Sequence, residues 1–420
     1  MEGWKETEIE KVVVKTKMKN PTNEPYKQFY YVDVSGVSNT LFKIAEPTLL
    51  YGKDAPSRAR KLIQFEDVIF ATVRPTLKRI AFVPIELDGQ ICSTGYCVLK
   101  ADKRYITSKF LYFSLLTDFF IEEIEKLQRG ASYPAIRDYD LKSQKIFLPP
   151  LPEQRKIAYI LNTVQQAIEQ QDKLIRTTTE LKKALMQKLF TEGINGEKQK
   201  QTEIGLVPES WEVVKVGDVF KFSSGKSRPK NTTKEKTDKN QIPVYGGNGI
   251  LGYTNEVLIS ETKLILGRVG EYCGCAHLTE FASWISDNAL YAKERYKEVD
   301  LIFIKNLFEW MNFNQYSNKM GQPLITQGII NDVKFGLPKL DEQKTVAKYI
   351  SSIERKISYH QQKKQSLTAL FKTLLHELMT GQRRVNEINL EKTVKLYEIK
   401  EPPLAMAAEE KVEYAKTKRT

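Results

Sequence analysis

LPPLPEQRKIAYIL at residues 148–161 lies over LPKLDEQKTVAKYI at residues 337–350, and ELKKALMQKLFT at 180–191 lies over ALFKTLLHELMT at 369–380. Both belong to one ungapped alignment of residues 148–193 on residues 337–382, with a constant offset of 189 and 13 identities in 46 pairs. Ordinary residue usage does not give that agreement by accident. The segment is duplicated, and any fold must accommodate two copies of it.

Each copy reads as one long amphipathic helix. Ile157, Leu161, Val164, Ile168, Ile175, Leu181, Leu185 and Leu189 recur mostly on three- and four-residue steps, as do Val346, Ile350, Ile353, Ile357, Leu367, Leu370, Leu374 and Leu378. The stripe is narrow, with Gln171 and His360 in its middle, which suits a two-helix seam better than burial inside a globule. Pro149, Pro150 and Pro152 stop helix upstream, and Gly193 and Gly381 close the C-terminal ends. Helices of about 35 to 40 residues would be about 50 to 60 Å long. A whole domain separates the copies, so antiparallel packing is expected.

The rest falls into two α/β globules that share landmarks more than sequence. Trp4 and Trp211 precede short alternating segments; VIFATV before Arg74 and LILG before Arg268 read as apolar strands. ICSTGYCVL and SWISDNALYA follow, then the aromatic runs FLYFSLLTDFF and LIFIKNLFEW, then turns ending at Pro134 and Pro323. The division is residues 1–150 for the first globule, 151–195 for the first long helix and 196–338 for a linker and the second globule. Residues 339–385 form the second helix and 386–420 a tail broken by Pro402-Pro403.

The chain has 420 residues, 65 Lys+Arg against 52 Asp+Glu and a net charge of +13. That excess favours a polyanionic partner, because each cation set against a phosphate releases condensed counterions. It concentrates in loops. YGKDAPSRARK at 51–61 contributes Arg58 and Arg60, residues 71–80 contribute Arg74, Lys78 and Arg79, and SSGKSRPKNTTKEKTDKN at 223–240 contributes Lys226, Arg228 and Lys230. With Tyr133, Arg137, Asn248, Arg268 and Gln322 near the glycine turns, these are the candidate nucleic-acid contacts, charge alone not separating DNA from RNA; Arg suits a guanine edge, Asn and Gln an adenine edge. Four cysteines are too few for a disulfide scaffold. No apolar run of about 18 residues occurs, and the N-terminus lacks an export pattern, so the expected location is the cytoplasm.

Short catalytic motifs fail in context. Gly247-Asn248-Gly249-Ile250-Leu251-Gly252 fits a dinucleotide fingerprint but opens no helix, and reads better as a glycine-rich turn. Gly225-Lys226-Ser227 lacks the upstream glycine of a phosphate loop, where Phe220 stands. Asn23-Glu24-Pro25-Tyr26 departs from the methyltransferase box at its second position and has only 22 residues before it. Cys273-Gly274-Cys275 with His277 has no second ligand pair nearby, and both thiols are expected on one strand face. With three histidines in the chain, imidazole chemistry has few candidates, and no metal site is expected.

From Gly3-Trp4 to about Val385 the chain resembles the DNA-specificity subunit of type I restriction–modification systems. The resemblance rests on Glu203-Ile204-Gly205-Leu206-Val207-Pro208-Glu209-Ser210-Trp211, the two Leu-Pro-x-Leu-x-Glu-Gln helix starts and the Leu-rich helix ends before Thr191-Glu192-Gly193 and Thr380-Gly381. It implies an α+β fold: two α/β target recognition domains separated by two long antiparallel helices that form a coiled-coil spacer, as a pseudo-twofold internal repeat. It also implies a non-catalytic subunit that recognises a bipartite, asymmetric site in double-stranded DNA and works away from membranes. Two modification subunits would bring S-adenosylmethionine-dependent methylation, and restriction subunits ATP- and Mg-dependent translocation and cleavage. Alternative readings are a chain that itself cuts or methylates, and a coiled-coil scaffold whose heads bind something other than nucleic acid. The steep salt dependence of phosphate contacts separates the scaffold from a DNA reader.

Overall fold

The computed structural model describes residues 3–194, 196–318 and 322–385; the tail at 386–420 and Gly321 lie outside the described residues. Along the chain run β1 (Lys5–Glu8), β2 (Val13–Val14), β3 (Gln28–Val32), β4 (Val37–Ser38), β5 (Lys43–Ile44), β6 (Thr48–Tyr51), β7 (Ala59–Leu62), β8 (Val68–Ala71), β9 (Ile80–Phe82), β10 (Ile91–Ser93) and β11 (Tyr96–Ala101). Then come α1 (Ser108–Leu116), α2 (Asp118–Lys126), α3 (Asp138–Lys142), β12 (Lys145–Leu148) and the long α4 (Leu151–Glu192). The second half has β13 (Gln199–Thr202), β14 (Gly205–Pro208), β15 (Glu212–Lys215), α5 (Val216–Val219), β16 (Phe220–Ser224), β17 (Ile242–Gly246), β18 (Gly249–Thr254), β19 (Leu264–Gly267), β20 (Ala276–Leu278), β21 (Trp284–Ile285) and β22 (Ala289–Arg295). It ends with α6 (Leu301–Trp310), α7 (Gln327–Asp332), β23 (Lys334–Leu337) and the long α8 (Leu340–Met379).

These elements form two compact units, residues 3–175 with 359–385 and residues 176–358. The division between these compact units falls inside both long helices. In unit 1 the sheets run β6-β3-β10-β7 and β2-β11-β8-β9; in unit 2 they run β18-β17-β21 and β16-β22-β19-β20. The two units repeat one plan. The strand after each landmark tryptophan pairs antiparallel with the strand before each long helix, β1 with β12 and β15 with β23. A parallel pair recurs as β3 with β10 and β17 with β21. Trp4 meets Phe110 edge-on at 6.4 Å and Trp211 meets Phe303 at 6.2 Å, so each tryptophan pins that terminal strand to the aromatic helix.

The long helices have 42 and 40 residues and end at left-handed Gly193 (φ 68°) and Gly381 (φ 67°), as their sequences predict. Within unit 1, Gln171 faces His360 and Glu153 meets Arg384, so the two segments run antiparallel. Within unit 2, Lys182 pairs with Glu354 and the Ile194 N–H donates to Glu342, giving the same direction. The stripe is not a seam alone. In unit 1, Ile157, Leu161, Val164 and Ile168 share one core with Leu370, Leu374, Phe110 and Phe113. In unit 2, Leu189, Val346 and Ile350 are buried with Trp211 and Phe303. Each such side chain contributes about 1.5 to 3 kcal/mol. Towards the helix middles the stripe thins, with Ile175, Ile353 and Ile357 half-buried and Leu181 exposed. In each unit the two helix segments pack on one another and also contribute to that unit's core.

The repeated Glu-Gln has a physical role. Gln154 is fully buried; its Oε1 accepts from the Thr107 N–H at 2.9 Å, and its Nε2 donates to the carbonyls of Tyr105 (3.0 Å) and Pro149 (2.9 Å). Gln343 accepts from the Asp300 N–H at 2.9 Å and donates to the Pro338 carbonyl at 2.8 Å. Thr107 and Asp300 are the N-caps of α1 and α6. One amide thus fastens each long helix to the start of the aromatic helix and satisfies buried backbone groups that would otherwise be orphaned.

Asp67, 2% exposed at the turn before β8, accepts the Gln64 N–H at 2.9 Å. Burial pushes its pKa from 3.8 up to about 6 against the pull of that hydrogen bond and of Lys100. Between about pH 4 and 6 the folded chain therefore holds a proton that the unfolded chain has released, so unit 1 loses stability as pH rises through that window. The loss is roughly 3 kcal/mol at most, from 1.36 kcal/mol per pKa unit. Asp67→Asn should flatten this dependence in urea unfolding followed from pH 4 to 7; parallel curves for the two chains would count against it.

Among the described residues no helix is long and apolar enough to cross a membrane.

Candidate nucleic-acid interface

In both units the loop after the central buried strand is tied at the same points. In unit 1, the Thr72 N–H donates to Gly95 O (2.8 Å), the Arg74 N–H to Pro134 O (2.7 Å) and the Ile136 N–H to Thr72 O (2.9 Å). In unit 2, the Arg268 N–H donates to Asn288 O (2.9 Å), the Gly270 N–H to Pro323 O (2.9 Å) and the Ile325 N–H to Arg268 O (2.9 Å). Bridges Arg129↔Ala135 and Asn318↔Leu324 close the neighbouring turn, again 189 residues apart. Tyr133 and Gln322 therefore stand at equivalent turn positions. Arg74 and Arg268, matched in the sequence as the arginines after the strand, are two places out of register: Arg74 is equivalent to Gly270, and Arg268 to Thr72.

Unit 1 gathers four of the candidate contacts around one open concavity of about 480 Å³, lined by Arg58, Arg74, Arg79 and Tyr133 with Ser35 and Leu77. Arg74 caps a short turn, Pro75–Leu77, from left-handed backbone (φ 49°), and its guanidinium lies 5.1 Å from the Tyr133 ring centroid. A non-glycine residue held at positive φ stores strain that surrounding contacts must sustain. Arg58 is exposed beside the Thr94 turn, its carbonyl accepting the Thr94 N–H at 2.8 Å. Arg79 is spent on the fold: its Nη1 donates to the carbonyls of Val34 (3.0 Å), Ser35 (2.9 Å) and Val37 (2.9 Å). Lys78 is turned to Asp118, and Arg60 Nη1 donates to Ala59 O at 2.8 Å. Arg137 is exposed, with its N–H on Asp140 Oδ2 at 2.9 Å, and does not line the concavity.

In unit 2 glycines let three loops close up. β17 and β18 join through a two-residue turn, Gly247-Asn248, with Gly246 opposite Gly249, so the glycine-rich stretch is a hairpin. A Cβ on Gly267 would lie 2.1 Å from Tyr272 O and 2.6 Å from Gly247 O; one on Gly247 would lie 3.4 Å from Asn288 O. This packing brings the Gly247-Asn248 turn to the backbone at Gly267 and Val269, on either side of the half-buried Arg268, whose Nη1 reaches Asp287 O at 3.4 Å. Gln322 Nε2 sits 3.8 Å from where a Gly270 Cβ would be. Gly225 packs on Ile285 and Ser286, and the Lys226 N–H donates to Ile285 O at 2.9 Å. Arg228 and Lys230 are exposed farther along that loop.

Residues at this face outside the sequence-derived set are Ser35, Thr94, Asp287 and Asn288. The corresponding stretches Ser93-Thr94-Gly95 and Ser286-Asp287-Asn288 carried the signal, since both lie at the C-terminal end of the second strand of the parallel pair, β10 and β21. The Cys273-Gly274-Cys275 segment is a turn with left-handed Gly274 (φ 85°), not a strand face. Buried Cys273 donates from Sγ to Arg268 O at 3.2 Å, beneath the loop, and burial pushes its thiol pKa up. Its place is structural.

The sequence pattern of the family described as "Type I restriction modification DNA specificity domain" matches residues 1–177 and 208–369. The chain belongs to that family. The type I restriction enzyme MjaVIII specificity subunit of Methanocaldococcus jannaschii is 27% identical over 324 residues, 71% of this chain and 76% of the relative. Its MjaX counterpart from the same organism is 28% identical over 342 residues, 76% and 79%. A chain solved in work on complex assembly and conformational transition of the type I R-M system is 28% identical, with a TM-score of 0.53 over 90% of this chain and 98% of that one. The type I restriction–modification S subunit from M. genitalium, 18% identical, shares the fold with a TM-score of 0.63 over 89% and 96%. The duplicated pattern and the duplicated plan coincide: each match covers one recognition unit and reaches into the long helix that follows it.

Proposed function

We propose that this chain reads DNA sequence for a type I restriction–modification complex, each unit gripping one half of a bipartite, asymmetric site in double-stranded DNA. The observation that carries this is the pair of equivalent loop sets, Arg58, Arg74 and Tyr133 in unit 1 and Asn248, Arg268 and Gln322 in unit 2. One frame offers two different sets of side chains, which suits two different half-sites. On this reading the subunit is non-catalytic and cytoplasmic. Two modification subunits and the restriction subunits are its partners, and S-adenosylmethionine, ATP and Mg act on those.

Mapping methylated adenines across the genome with and without this gene tests the reading. One bipartite motif should disappear on deletion, and the affinity of the full chain for a duplex bearing that motif should fall steeply with salt, log K against log salt giving a slope of about −0.9 per phosphate contact. An unchanged methylation map, or binding insensitive to salt, would overturn it and favour a scaffold.

A further inference from the structure

The candidate contacts of unit 1 are not equally free to act. Loop 72–79 has three cations. Arg79 is used on three carbonyls and Lys78 on Asp118. Among the described residues the Arg74 guanidinium has no hydrogen-bond or ion-pair partner, only the face of Tyr133 behind it at 5.1 Å. A ring face behind a guanidinium confines it on that side and leaves N–H groups on the other side open.

The Arg74 backbone is equally determined, by its left-handed conformation, its 2.7 Å bond to Pro134 and the Pro75 that follows. Beside it lie Val34 and Leu77, apolar surface that suits base edges better than phosphates. An arginine fork can engage a phosphate or a guanine edge bidentately; the apolar walls beside Arg74 are what favour the base edge.

We propose, resting on the DNA-reading role above, that Arg74 backed by Tyr133 reads the O6 and N7 edge of one guanine in the half-site held by unit 1. Unit 2 has no such reader at that place, because Gly270 and Gln322 occupy the equivalent positions, so its half-site is read by a different set, with Arg268 displaced by two residues.

The informative variant is Arg74→Gly. Glycine accepts the left-handed backbone and is the residue that unit 2 carries there, so the variant keeps the loop while removing the reader. Each guanine of the mapped site is replaced in turn by 7-deazaguanine, which lacks N7, and binding of the full chain is measured. One guanine in one half should lose about tenfold with the natural chain and nothing with Arg74→Gly. The methylation map of the variant should accept any base at that position and leave the other half unaltered. Tyr133→Phe should behave as the natural chain and Tyr133→Ala should lose part of the discrimination.

The proposal falls if the 7-deaza penalty is the same in both chains, or if the affected half holds no guanine. It also falls if Arg74→Gly weakens every duplex alike while lowering the salt slope by about one phosphate, which is a backbone contact. Sequence-selective binding by the natural chain in any of those cases leaves the DNA-reading role standing; its absence removes both.

Discussion

A Gln154→Ala chain is expected to lose roughly 3 to 6 kcal/mol of unit 1 stability, since the buried Pro149 carbonyl is stranded at about 1 to 3 kcal/mol, the part-buried Thr107 N–H and Tyr105 carbonyl at about 1 kcal/mol each, and the cavity adds to that. The side chain is fully buried and holds the Thr107 N–H and the Tyr105 and Pro149 carbonyls together. Against a typical domain stability of about 5 to 15 kcal/mol, this is enough to populate the unfolded unit. Gln154→Glu should be no milder: it keeps the acceptor for Thr107 but turns a carboxylate on two carbonyls. Gln343→Ala should cost less, because that amide holds two partners, Asp300 and Pro338. Urea unfolding followed separately in the two units is the measurement. A loss under about 1 kcal/mol for Gln154→Ala would show that water replaces the amide and that the motif has another purpose.

The same glutamines show what was legible in the sequence and what was not. Their recurrence 189 residues apart announced the duplication, and the helical period with Gly193 and Gly381 located both long helices. Periodicity cannot say what a stripe packs against. Val164 and Leu189 lie deep in the two unit cores, while Leu181, on the same pattern, is 57% exposed. Proline and glycine signals mark where the helices end; that each core takes part of both helices is a tertiary fact they do not carry. At the site, a run of cations reports charge and not availability. Arg79, Lys78 and Arg74 read alike in a string, yet three carbonyls that converge only in the fold hold the first, and Asp118, forty residues on, holds the second. The register error between Arg74 and Arg268 has the same origin: loops of different length hide which residues share a frame position, and only the bonds to Pro134 and Pro323 reveal it.

Gly267→Ala should abolish recognition by unit 2 while leaving unit 1 folded. Gly267 ends β19, with both faces pressed by backbone: an added methyl would stand 2.1 Å from Tyr272 O and 2.6 Å from Gly247 O. Neither atom is the end of a flexible side chain, so the loops bearing Arg268 and Asn248 must both retreat. Overpacking of side chains costs about 1 to 3 kcal/mol, and backbone on two sides puts this case at or above the upper end, about 3 kcal/mol or more. The neighbouring bonds run through the same residue, the Gly267 N–H to Cys275 O at 2.9 Å and the Gly274 N–H to Gly267 O at 2.8 Å, so the displacement reaches the turn over Cys273. Gly196→Ala serves as a comparison: Gly196 is left-handed (φ 58°) with nothing within 4 Å of an added methyl, so its cost is backbone strain alone, about 1 to 2 kcal/mol. In binding to the mapped duplex, Gly267→Ala should become indifferent to base changes in one half-site and keep full discrimination in the other. If both halves stay discriminated, or the loss is no larger than that of Gly196→Ala, the close approach of these loops does not shape the reading surface.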